Sequence, residues 1–89
     1  MAHTFEELVE MRRTVDAAHA QAEGLRGQYG PPGSRSWSAR QSQTYETAWR
    51  AWRDLDRDMR EAVTAYATEH GEARQTVEAR VREAAGSPQ

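Results

Sequence analysis

Eighty-nine residues with a formal net charge of -2, no cysteine and 37% hydrophobic side chains allow one small domain with a thin core, because so short a chain buries little apolar area against its ordering entropy. The same figures exclude disulfides, thiolate catalysis and Cys-ligated zinc, and the mixed charge argues against a general polyanion binder, which carries a basic excess. All twelve cationic residues are Arg, a usage that reads as the codon bias of a high-GC bacterial genome rather than as selection for guanidinium chemistry.

The amino-terminal Met1-Ala2-His3-Thr4-Phe5-Glu6-Glu7 lacks a basic stretch followed by an apolar run. No apolar stretch approaches the ~20 residues that span a bilayer. The expected location is cytoplasmic, with no membrane contact.

Thr4 followed three residues later by Glu7 fits a capping box, in which each side chain satisfies an orphan amide at a helix start. From there Leu8, Met11, Val15, Ala18, Ala22 and Leu25 alternate spacings of three and four, the seam of a heptad repeat. Gly24 and Gly27 loosen its end, and Gly30-Pro31-Pro32-Gly33-Ser34 breaks it. Helix one is therefore expected over residues 5–26, with a Gly/Pro connector over 27–38.

Ser38 and Gln41 repeat the capping-box spacing. A second seam follows through Tyr45, Ala48, Trp52, Leu55, Met59, Ala62 and Tyr66, widened by Trp49 and Val63. Helix two is expected over 39–70, and 72–85 either continues it past Gly71 or forms a short third helix. Nothing alternates with the period of a strand.

The two seams match if the helices run antiparallel. Leu25 then meets Tyr45, Ala18 and Ala22 leave room for Trp52 and Trp49, and Phe5 falls beside Tyr66. The fold class is all-α: one domain, an antiparallel two-helix hairpin with a long second helix, completed as a bundle by dimerisation. In this register helix one ends opposite Tyr66. A straight continuation of helix two would then overhang by roughly 22 Å, at 1.5 Å per residue. Its stripe of Ala73, Val77, Val81 and Ala84 would want a partner helix, with Glu78 and Arg82 paired four apart on its flank.

Catalysis finds little footing. There is no Ser-His-Asp order in a suitable fold context, no Lys after the Gly-rich stretch to make a phosphate loop, and no enclosure to drive the pKa values of two carboxylates apart. His3 and His70 could approach near Glu69 and Glu72, but a frayed terminus beside a surface histidine accounts for them, and neither metal nor cofactor is expected. Arg50, Arg53, Arg57 and Arg60 share an outer face of helix two, yet Asp54, Asp56 and Asp58 are interleaved. A solvated face is the plain reading, and phosphate contact the alternative. Trp37, in the connector, is expected to fold over the helix ends.

The length, two-helix plan and mid-chain turn resemble the small helical-hairpin substrates of type VII secretion. That family carries Trp-x-Gly in its turn and Tyr-x-x-x-Asp/Glu after it. Here Trp37 is followed by Ser38-Ala39, Tyr45 by Trp49 four residues on, and Tyr66 by His70. The resemblance is one of architecture, and the family's function does not come with it. The residues themselves point to a non-catalytic adaptor or regulator acting through helix–helix contact with a protein partner, as a homodimer. Its expected contact residues are Ala73, Val77, Val81 and Ala84, with Trp49 as an aromatic anchor. The alternative is a small DNA-binding regulator using Arg50, Arg53, Arg57 and Arg60.

Overall fold

The computed structural model describes residues 3–30 and 37–86, and these form three α-helices and no strand: α1 (Phe5–Tyr29), α2 (Ala39–His70) and α3 (Arg74–Gly86). Both expected capping boxes are present. At the start of α1 the Thr4 amide donates to Glu7 at 2.8 Å, and the Glu7 amide donates to the Thr4 hydroxyl at 3.1 Å. Ser38 and Gln41 make the same reciprocal pair at 2.9 and 3.1 Å at the start of α2.

The Glu7 carboxyl is held below the ordinary carboxylate range, first by the Thr4 amide and then by the Thr4 hydroxyl and the neighbouring His3. A depressed folded-state pKa means that the cap stabilises the helix above the unfolded value and loses that contribution as pH falls through the folded one. In an NMR titration Glu7 should therefore ionise at lower pH than a Glu in an unstructured peptide, and Thr4→Val should move it back up. A Glu7 that titrates like the peptide would mean the box does not persist in solution.

Helix one does not stop at residue 26. It runs through Gly24 and Gly27 to Tyr29, and Gly30 caps it with φ 92, so the connector begins at Gly30. The cost of glycine in a helix is about 1 kcal/mol each, too little to end a helix whose last turns carry partly buried Leu25 and Tyr29. The Pro31–Ser36 part of the expected connector lies outside the described residues.

Gly71 reverses the chain. It adopts the left-handed conformation (φ 64, ψ 32) that an L side chain tolerates poorly. Its amide donates to the Thr68 carbonyl at 3.3 Å, and the Glu72 amide donates to the Ala67 carbonyl at 2.9 Å. That pair of bonds is a Schellman ending, which satisfies the last carbonyls of α2 while turning the backbone.

The straight overhang is therefore corrected: residues 74–86 fold back as α3 onto the other two helices. Ring contacts give the directions. Phe5 lies 6.3 Å from Tyr66 and His19 lies 4.7 Å from Trp52, so α1 and α2 run antiparallel. The Arg80 guanidinium sits 5.8 Å over Phe5, and Arg13 reaches the Ala84 carbonyl at 3.5 Å. α3 thus runs alongside α1 in the same direction. The Glu78–Arg82 pair expected on its flank is present at 3.2 Å, and Arg80 reaches back to Glu72 at 2.6 Å.

Val77 and Val81 are 0% and 1% exposed, in one core with Leu8, Val15, Met59, Ala62, Val63 and Ala67. The stripe expected to await a partner is covered by the chain itself. The reason is plain: two valines four apart on a helix that can fold back are buried sooner by their own chain than by another. Ala84 is half-buried in the same packing and Ala73 is exposed at the turn.

Candidate interaction surface

The three helices differ greatly in length, and this leaves a surface over. α2 has 32 residues, about 48 Å at 1.5 Å per residue, and it sets the 50 Å long axis of the molecule. α3 has 13 residues, about 20 Å. It covers the end of the α1–α2 pair that is far from the connector and stops near Trp52, where Val81 and Arg82 line a cleft of about 400 Å³ together with Trp52, Asp56 and Met59.

Beyond that point no third helix lies over the pair among the described residues. No α2 residue between Ala39 and Asp58 is buried, and on the facing part of α1 only Ala22 is. The apolar side chains there are nevertheless large. Tyr29 and Trp37 meet edge to face at 5.3 Å, as do Trp37 and Tyr45. Tyr45 stacks on Trp49 at 6.3 Å, Trp49 leans on Trp52 at 4.7 Å, and Trp52 packs on His19. Each such contact is worth about 0.5–1.5 kcal/mol beyond its area, so the row is a stiff, continuous strip. Trp49 is the large hydrophobic residue left 36% exposed in it. The Trp37 ring does fold across the helix ends, and its buried Nε1–H has no hydrogen-bond partner.

On the opposite side of the pair, a shallow groove is lined by small and polar residues such as Ala18, Thr44, Ala48 and Ala51. Ala18 is half-buried along this groove, and Trp52 packs on the neighbouring His19.

The expected site residues are divided by this geometry. Trp49 stands at the surface in the aromatic strip, whereas Val77 and Val81 belong to the core. Arg50, Arg53, Arg57 and Arg60 are all exposed on α2. Arg60 pairs with Asp56 at 2.7 Å, and Arg57 with Asp54 at 3.5 Å and Asp58 at 3.8 Å. Half of the candidate phosphate-binding quartet is thus neutralised locally. The cleft beside α3 follows the same rule: Arg74 and Arg82 both lie on Glu78, and Arg12 on Asp16.

His3 sits 3.8 Å from Glu7, and His70 packs on the Tyr66 ring at 4.1 Å. Among the described residues no group of three or more His, Asp or Glu is placed to hold a metal ion, and no helix is long and apolar enough to cross a membrane.

Tyr29, Trp37 and Tyr45 are the members of the strip that sequence reasoning did not place there. Tyr45 has the spacing of a seam residue, and Tyr29 lies beyond the expected end of helix one. Their one visible signal was the density of aromatic residues on both sides of the connector. No protein-family model, curated protein or solved structure matches the chain.

Proposed function

We propose that this chain is a non-catalytic helical adaptor or regulator, which binds a protein partner through the uncovered half of its α1–α2 pair and self-associates as a homodimer. The observation that carries this reading is the uneven cover of α2. Its far half is packed under α3, while the Ala39–Asp58 half holds a continuous aromatic strip with no buried residue. Aromatic side chains held rigid by one another and left partly exposed are what helix-binding surfaces present, because they give large contact area at low entropy cost. Contact energy comes from Trp49 and its neighbours, not from α3.

A photo-crosslinking residue at position 49, compared with one at Asp58, tests the reading inside the source cell. Asp58 is nine residues on and so half a turn round the helix. Adducts with protein from position 49 and none from Asp58 are expected. Protein adducts from neither would overturn the proposal. Adducts with nucleic acid, together with a gel shift that weakens steeply with salt, would place the function on the Arg face instead.

A further inference from the structure

We infer that the occupant of the Trp49 face is a second copy of this chain, laid antiparallel along α2 about a two-fold axis beside Trp49; the inference rests on the interaction reading above and deepens it. Two independent observations carry it.

The first is continuity with packing that already exists. Trp49, Asp56 and Val63 stand seven residues apart and so fall on one line along α2. α3 covers the Val63 end of that line, where Val63 joins Val77 and Val81 in the core. A helix therefore fits this track, and the Trp49 end of it is open only because α3 is short.

The second is charge. Glu46 lies three residues before Trp49 and Arg53 four after it, so both share its face. Neither has an ion-pair partner among the described residues, whereas Asp54, Asp56, Arg57, Asp58 and Arg60 on the next turns all do. An antiparallel second copy sets Glu46 of each chain opposite Arg53 of the other. Two identical ion pairs then flank the two Trp49 indoles at the axis.

Other arrangements are worse. Sliding the copy by three residues brings Glu46 opposite Asp56 and Trp49 opposite Arg53. A parallel arrangement sets Glu46 on Glu46. Closed two-fold assembly needs a patch complementary to itself, and this one is, in the register that sets Glu46 on Arg53 with Trp49 at the axis. A pair of α1–α2 units joined in this way makes a four-helix layer over the half of the molecule that α3 leaves bare.

The test is charge reversal read by light scattering and sedimentation over a concentration series, with circular dichroism to confirm that each variant is folded. The unaltered chain should have the mass of a dimer. Glu46→Arg and Arg53→Glu should each be monomeric, with dimerisation weakened by at least about tenfold, because like charges then face each other twice. An equimolar mixture of the two variants should return to the dimer mass, since both contacts become attractive again between unlike chains. An unaltered chain that is monomeric throughout would overturn the second copy as occupant while leaving a different protein partner open to the crosslinking test. A dimer that both single variants retain, or a mixture that stays monomeric, would place any self-association elsewhere and overturn the inference.

Discussion

Changing Val77 and Val81 together to Asp should abolish the cooperative fold of the whole chain. Both side chains are fully buried against Leu8, Val15 and Val63, and burying each contributes about 1.5–3 kcal/mol. The substitution removes that gain and adds two carboxylates with no cation in the core to receive them, a cost of several kcal/mol more. A chain of this size has about 5–10 kcal/mol of stability in total. Loss of the cooperative thermal melt and of most helical circular dichroism is expected. Ala79→Asp, on the exposed side of α3, should leave both nearly unchanged. The double variant separates the two placements of residues 74–86 cleanly. An overhanging helix would tolerate the change with the α1–α2 pair intact, so a parent-like melt would mean that α3 does not pack on its own chain.

That contrast also marks where the sequence stopped being informative. The two helix starts were legible because a capping box is a local device: Thr4 with Glu7, and Ser38 with Gln41, satisfy amides within one turn whatever the rest of the chain does. The meeting of Phe5 and Tyr66 was legible because two heptad seams of fixed spacing match in few ways. Gly71 was ambiguous because a single glycine inside a helical pattern is tolerated at about 1 kcal/mol. It becomes a stop only when the segment after it has somewhere better to go. Val77 and Val81 say that residues 74–86 want cover, but a pattern cannot say whose surface provides it. The end of α1 is hidden for the opposite reason: the glycine penalties at 24 and 27 are local, whereas the packing that overrides them appears only in the folded chain. The aromatic strip combines both failures. Its rings come from α1, the segment before α2 and α2 itself, and only the folded chain lines them up.

Ala22→Leu should be the more damaging of two alanine substitutions in the uncovered half, and Ala18→Leu nearly harmless. Ala22 is 0% exposed, the only buried α1 residue beyond Val15 among those described. No third helix lies over this part of the pair among the described residues, so Ala22 is covered without help from α3. Three added carbons there find no free volume, so the helices must separate or the strip must shift, at about 1–3 kcal/mol. For a domain of this length that is a fall in Tm of about 4–8 °C per kcal/mol. Because Tyr45, Trp49 and Trp52 pack on one another at 6.3 and 4.7 Å, the same shift should also weaken the near-ultraviolet dichroism of the Trp side chains. Ala18 lies at the rim of the groove it shares with Ala48 and Ala51, where a Leu side chain can lie along the groove and cover apolar surface. A Tm within a degree or two of the parent is expected for that variant. Equal losses for Ala18→Leu and Ala22→Leu would mean that the seam is as tightly packed at Ala18 as at Ala22.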